Sequence, residues 1–405
     1  MSNSSHITET LTPADSTAVA DAVHNACEKN IAVYPVGGGT MLDCGAAAKR
    51  QGVALSFAGL NHTIDYPVDD MTITVEAGVT VAELNHQLAA NRQRLPVDVP
   101  QADRATIGGA IAVGSFGPRR FAYGTLRDYV LGFTAVDGQG TLFSGGGRVV
   151  KNAAGYNMNR LMVGSFGTLG LLTQVTLMVR PQCEKSVFLV GEASDFAMAE
   201  KLLADLIISP ARPAAIELVA GSQRENDAIV GSTLDNRAAR LCVGFEGATA
   251  EVDWMVDQLR SRWKDLGVHS PLLTQPEVTA SLWQQFTDDV ADLQIHVLPS
   301  KTIETIEKTL AIARDSSIQA HAGDGILRVQ LNDEEDAPAT NVLEKLRDAV
   351  TAYNGHVIVR RPLKGVAMTP TNVWGPPCPE QRLLRSLKER FDPKNILNPG
   401  RFVFD

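Results

Sequence analysis

Two hydrophobic periods alternate along the first part of this chain. Ala18, Val19, Ala22, Val23, Ala26 and Cys27 recur at helical spacing behind Thr12-Pro13-Ala14-Asp15, which predicts a helix with Thr12 as its cap and Pro13 in its first turn. The apolar run 31–36 predicts a strand that stops at Gly37-Gly38-Gly39-Thr40. Residues 53–57 and 72–76 read as strands, and Thr80-Val81-Ala82-Glu83 as a capping box opening a helix through Leu84, Leu88 and Ala89. Thr106-Ile107-Gly108-Gly109 predicts a second glycine turn, and 130–136 pairs with 141–144 across Asp137-Gly138-Gln139-Gly140 as a hairpin. The stretch 145–181 then sets Gly164, Gly167 and Gly170 at intervals of three, ahead of a strand over 171–179.

Beyond Pro181 the order becomes β-α-β-β-α: strand 186–193, helix 196–208, strands 215–219 and 240–246, helix 251–266. A similar series follows Trp283, with strand 293–298, helix 303–314, strands 318–321 and 326–331, helix 342–353 and strand 356–359. Two ferredoxin-like units sharing one sheet fit this order, although no residue-level repeat links them. A tail helix carrying Leu383, Leu384 and Leu387 leads into Asn398-Pro399-Gly400-Arg401.

At 405 residues and 44% hydrophobic content, the chain builds at least two domains. A net charge of −9, 37 basic against 46 acidic residues with no basic block, argues against nucleic acid as a partner. Cys27, Cys44, Cys183, Cys242 and Cys378 are scattered singly, without the Cys-x-x-Cys spacing of zinc or iron–sulfur ligands. They read as reduced thiols of a cytoplasmic protein. The polar opening residues lack the order of a signal peptide, and no apolar run reaches the roughly 18 residues of a membrane span, so any membrane association is expected to be peripheral.

Three consecutive glycines let successive N–H groups converge on an anion such as a pyrophosphate. Their spacing is not Gly-x-Gly-x-x-Gly, so the Rossmann fingerprint is not met. Taken with the turns at Thr106 and at 164–170, with Gly117-Pro118-Arg119-Arg120, Arg127-Asp128-Tyr129-Val130-Leu131-Gly132, Lys151-Asn152-Ala153-Ala154-Gly155-Tyr156 and Arg160-Leu161-Met162-Val163-Gly164-Ser165, the chain resembles the vanillyl-alcohol-oxidase and p-cresol-methylhydroxylase superfamily of FAD proteins. Within it the motifs look like those of the FAD-binding E subunits of bacterial glycolate oxidases. The resemblance implies an α+β fold in three parts: a two-part FAD-binding domain of the p-cresol-methylhydroxylase type over 1–182, an α/β cap over 183–375, and a C-terminal helix and tail over 376–405 returning to the FAD domain.

It also implies a cofactor set. Val36, Gly37, Gly38, Gly39, Thr40 and Met41 take the FAD pyrophosphate, and Pro100, Thr106, Gly108, Gly109 and Ser115 line pyrophosphate and flavin. Lys151, Asn152, Gly155, Gly164, Gly167, Gly170 and Val175 lie by isoalloxazine and adenine. The implied partners are a catalytic flavoprotein subunit and an iron–sulfur subunit of a glycolate oxidase complex, with a small 2-hydroxy acid as substrate. The rival readings are a stand-alone FAD-dependent 2-hydroxy-acid dehydrogenase and an assembly protein that holds FAD for structure.

His321-Ala322-Gly323-Asp324-Gly325-Ile326-Leu327-Arg328 discriminates between them. It resembles the His-x-Gly-Asp-Gly-Asn-x-His signature with which catalytic relatives hold a divalent metal, but Ile326 replaces Asn and Arg328 replaces the second His. A guanidinium repels a divalent ion, so no metal is expected there. A guanidinium at Arg328 could still clamp a carboxylate, which leaves substrate binding open, and His321 reads as a strand-end histidine bonded to backbone. For Arg119, Arg120 and Arg127 two placements stay open: the flavin's N1–C2 edge, or a solvated or partner-facing surface. No catalytic residue is assigned.

Thr40 stands where some members of the superfamily attach flavin to histidine, so the FAD is expected to be noncovalent. Acid precipitation of the purified protein should release all of the yellow chromophore into the supernatant. Chromophore pelleting with the protein would refute this.

Overall fold

A computed structural model describes residues 6–147, 157–222, 239–288, 291–332, 338–377 and 379–402. It is a mixed helix and sheet structure of two compact units. One comprises Met1–Phe116, Gly124–Gln182 and Met368–Asp405, the other Gly117–Tyr123 and Cys183–Ala367.

The first unit contains a three-stranded parallel sheet, Ile7–Leu11, Gly52–Ser56 and Ala32–Val36, with Gly52–Ser56 in the middle. It also contains a five-stranded antiparallel sheet in the order Thr63–Asp65, Thr72–Glu76, Leu171–Met178, Val130–Val136, Leu142–Gly146. The helix expected near the N-terminus runs Ser16–Glu28 and begins later than Thr12 suggests. Its cap is Asp15, whose carboxylate accepts the Ala18 N–H at 2.8 Å and so satisfies an orphan donor in place of Thr12. The Thr80–Glu83 capping box forms as expected, and those hydrogen bonds hold the Glu83 carboxyl below its usual range. Thr106, expected in a turn, instead caps a short helix, Ile107–Val113, with its hydroxyl accepting the Gly109 N–H at 3.2 Å. Gly108 is required inside that helix because a Cβ would sit 2.6 Å from the Cβ of Ala77.

The second unit is built on one eight-stranded sheet ordered Leu272–Leu273, Lys185–Ala193, Ala239–Gly247, Ala215–Gly221, Ser317–His321, Ile326–Gln330, Leu293–His296, His356–Val359. Its two halves meet where Ala215–Gly221 pairs antiparallel with Ser317–His321, which places Glu217 opposite His321.

The expected tail helix runs Gln381–Phe391. Leu383 is 66% exposed, whereas Lys388 is 6% exposed. The Lys388 ammonium donates to the carbonyls of Thr168 and Leu397 at 2.8 and 2.9 Å and to Asp392 Oδ2 at 2.6 Å. Asp392 in turn accepts the backbone N–H groups of Ile396 and Leu397 at 3.0 and 2.7 Å. The segment so fixed adds itself to strand Ala32–Val36: Val33 donates to Ile396, and Asn398 donates to Val33, each at 2.8 Å. Burial pulls the Lys388 pKa down while the Asp392 charge opposes it.

Removing one member of a buried pair strands the other, so Asp392→Ala should destabilise the first unit by about 3–5 kcal/mol. The check is the urea dependence of hydrogen exchange in Ala32–Val36. An unchanged midpoint would show that the pair does not hold the tail.

Candidate functional site

Strand Ala32–Val36 ends at the glycine loop, and the loop is defined by what lies against it. A Cβ on Gly37 would meet the Thr106 hydroxyl at 2.2 Å, and one on Gly38 would meet the carbonyl oxygen of Arg104 at 1.6 Å. Gly39 takes φ +71°, a left-handed conformation suited to glycine. The two segments therefore touch backbone to backbone, and a cavity opens beside them.

Val36, Gly37, Gly38, Gly39, Thr40, Met41, Pro100, Thr106, Gly108, Gly109, Ser115, Gly167 and Gly170 all line this cavity. Two of the expected residues do not. Val175 is fully buried, paired with Val75 and Phe133 inside the five-stranded sheet, and Gly164 turns at φ +77° while donating to the Ile111 carbonyl. Lys151, Asn152 and Gly155 lie outside the described residues.

Sequence reasoning missed Tyr34, Phe166, Leu171, Leu172, Asn398 and Arg401, which also line the cavity. The available signal for the last two was the closing Asn-Pro-Gly-Arg. Asn398 donates to the Phe166 carbonyl at 2.6 Å, and Arg401 donates to the carbonyls of Leu42, Cys44 and Ala46 just past the glycine loop. Apolar walls suit flat heterocycles and a glycine loop suits a diphosphate, so the lining fits a dinucleotide flavin. Thr40 offers a hydroxyl and no imidazole for covalent attachment.

The second unit holds a buried polar group on its sheet. His321, 1% exposed, meets Glu217 Oε1 through Nδ1 at 2.6 Å, and Glu217 is itself completely buried. Its partner is thus a side chain rather than the expected backbone carbonyl. Gln319 donates to Glu217 Oε2 and to the Phe286 carbonyl, each at 2.8 Å. Arg328, 2% exposed, donates to the carbonyls of Phe286 and Thr287 at 3.2 and 3.3 Å, an arrangement that does not present it to a carboxylate ligand. Among the described residues no group of three or more His, Cys, Asp or Glu side chains is placed to hold a metal ion.

Arg119 and Arg120 belong to this unit, and both enter ion pairs within it. Arg119 donates to Glu246 Oε1 from Nε and a terminal nitrogen at 3.0 and 2.7 Å and lies 3.7 Å over the Trp283 ring. Arg120 pairs with Asp324 at 3.4 Å, and burial pushes the Asp324 carboxyl up against the opposing pull of Arg120 and His321. Arg127 is exposed.

Residues 183–402 match the C-terminal domain of FAD-linked oxidases, and residues 9–146 match an FAD-binding domain. The chain belongs to the FAD-linked oxidases. It is therefore an FAD-dependent oxidoreductase by family. Its relatives include the D-lactate dehydrogenase of Archaeoglobus fulgidus, 28% identical over 96% of this chain and 90% of that protein. Another is the glycolate oxidase subunit GlcE of Escherichia coli, 39% identical over 32% of this chain and 38% of that protein. Among solved structures, alkyldihydroxyacetonephosphate synthase superposes with a TM-score of 0.71 at 18% identity, covering 96% of this chain and 76% of that one, and shows a shared fold. Among the described residues no helix of this FAD-linked oxidase is long and apolar enough to cross a membrane.

His296 and His356 stack at 4.7 Å with rings 5° apart, and the amide of Gln294 donates to His296 Nε2 at 2.6 Å, which requires that nitrogen to be unprotonated. Burial first, then the charges of His356, Arg120, Arg360 and His321, lower the His296 pKa from 6.5 to about 3. The unfolded chain binds a proton below pH 6.5 that the folded chain refuses, so stability is full above 6.5 and falls as pH drops towards 3. His296 alone should contribute a loss of about 1.4 kcal/mol per pH unit in that window. Unfolding of the second unit measured between pH 6.5 and 5 should show this slope, and His296→Gln should flatten it; an equal slope in the variant would refute the assignment.

Proposed function

We propose that this chain is the FAD-carrying subunit of a heteromeric oxidase of 2-hydroxy acids, of the glycolate-oxidase E-subunit type. It would serve the conversion of glycolate to glyoxylate beside a catalytic flavoprotein subunit and an iron–sulfur subunit. One observation carries the reading: the cavity of the first unit is lined as a cofactor site should be, while the position of the motif's second histidine in the second unit holds a buried guanidinium that donates to the protein's own carbonyls. His321 is engaged by Glu217, and Arg328 by the carbonyls of Phe286 and Thr287. The likeness to GlcE supports the subunit assignment.

On this reading the chain divides into a p-cresol-methylhydroxylase-type FAD domain over 1–182, a cap of two ferredoxin-like halves over 183–375 and a returning tail over 376–405. The loop Gly37–Thr40 takes the FAD diphosphate through backbone N–H groups. Thr106, Gly108, Gly109, Ser115, Gly167 and Gly170 stand along the rest of the cofactor, and the apolar walls at Val36, Phe166, Leu171 and Leu172 exclude water from it. Bound FAD supplies two-electron acceptance, and no metal assists at His321. The complex is cytoplasmic and peripheral to the membrane.

A second reading, a stand-alone FAD-dependent 2-hydroxy-acid dehydrogenase, draws on the near full-length similarity to D-lactate dehydrogenase. The two are separated by purifying the chain alone and after co-expression with its candidate partners, then comparing flavin content and glycolate-dependent dye reduction. The subunit reading expects flavin without turnover in the lone chain and turnover in the complex. It further expects His321→Gln, which keeps a donor for Glu217, to leave the complex nearly as active as before. Full activity of the lone chain, or loss of activity in that variant with flavin and assembly intact, would favour the second reading.

A further inference from the structure

The segment that presses on the glycine loop also brings a cation to it. Gln101 takes φ +52°, and the N–H groups of Arg104 and Ala105 both donate to its carbonyl, at 2.9 and 2.8 Å. That turn sets the Arg104 carbonyl against Gly38. The Arg104 side chain then lies along the same loop: a terminal nitrogen is 3.3 Å from the Gly38 carbonyl oxygen and 3.8 Å from where a Cβ on Gly39 would stand. The other terminal nitrogen reaches the side-chain oxygen of Gln101 at 3.4 Å. Both contacts are longer than the roughly 2.7–2.9 Å of charge-assisted hydrogen bonds, and both acceptors are neutral.

Arg401 lines the cavity, but both its terminal nitrogens donate to the carbonyls of Leu42, Cys44 and Ala46, whereas Arg104 stands outside the lining, against the glycine loop. Arg104, by contrast, is an exposed guanidinium on weak neutral acceptors beside Gly38 and Gly39. A planar fork of donors matches phosphate oxygens.

We infer that Arg104 leaves the Gly38 carbonyl and pairs with the diphosphate of FAD when the cofactor binds. This rests on the reading that the loop Gly37–Thr40 holds that diphosphate. Backbone N–H groups supply direction at such a loop, and the guanidinium supplies the countercharge. Because Arg104 is exposed, the pairing is screened by salt.

The test is equilibrium dialysis of the full-length chain against FAD and against riboflavin, which has no phosphate, at low and high KCl. Arg104→Met should weaken FAD binding about 10- to 100-fold at low salt, the scale of one lost charge-assisted hydrogen bond. It should also remove most of the salt dependence and leave riboflavin binding unchanged, while Arg104→Lys restores part of the FAD affinity. Wild-type FAD affinity in Arg104→Met overturns the inference. So does an equal loss for both flavins, which would mean that the side chain only packs the loop. Gly38→Ala separates this from the underlying reading: if it loses FAD while Arg104→Met does not, the loop assignment stands and the role of Arg104 falls. If it binds FAD as the wild type does, both fall.

Discussion

The contact between the backbone at Gly38 and the carbonyl of Arg104 is the constraint on which the flavin unit depends. With 1.6 Å between that oxygen and any Cβ on Gly38, only glycine allows the two segments to meet, and Gly37 repeats the condition against the Thr106 hydroxyl. The first contact joins the end of the parallel sheet to the segment before helix Ile107–Val113, and the second joins it to the cap of that helix. The helix in turn is fixed to the antiparallel sheet, since Gly108 donates to the Ala77 carbonyl and Ala77 donates to Thr173. Two sheets that share no strand pairing are thereby linked through that helix and the close approach at its N-terminus.

The tail applies the same logic from the other end of the chain. Lys388, Asp392 and the 396–398 backbone lock the C-terminal segment to strand Ala32–Val36, and Asn398 reaches the Phe166 carbonyl. Arg401 then fastens the carbonyls of Leu42, Cys44 and Ala46. Burying a lysine is costly, and a fully hydrogen-bonded ammonium is how that cost is offset. The return for it is positional: the chain after the glycine loop is tied down by residues more than 350 positions away in sequence.

Much of this was legible in the chain. The Thr80–Glu83 box and the hairpin at Asp137 are local signals decided by local hydrogen bonds, whereas strand Thr72–Glu76 was read from its residues and is completed by Leu171–Met178. Thirteen of the expected cofactor residues gather on one cavity because glycine runs mark places where backbone must come close. The misses lie in side-chain hydrogen bonds, near and far, that periodicity does not record. The Thr12 cap lost to Asp15 within a turn, and the burial of Lys388 went unread because helical periodicity carries no record of Asp392 and two carbonyls waiting for an ammonium. Arg119 meets Glu246 and the face of Trp283, more than 120 residues away, contacts that no local pattern records.

His321 makes the sharper case about motifs. A histidine in a Gly-Asp-Gly context invites a catalytic role, yet Glu217 supplies a sufficient physical reason for it. That carboxylate is completely buried, and two donors reach it, one from Gln319 and one from His321. Deleting either leaves a buried acceptor short of a partner, a penalty of roughly 1–3 kcal/mol for a neutral group and more for a charged one. Arg328 meets a parallel need, since its donors satisfy the carbonyls of Phe286 and Thr287. These contacts satisfy buried polar groups of the sheet, whatever chemistry it performs. Glu217 thus gives His321 a structural reason to be present through Nδ1 alone, and the same contact fixes the ring's orientation and tautomer.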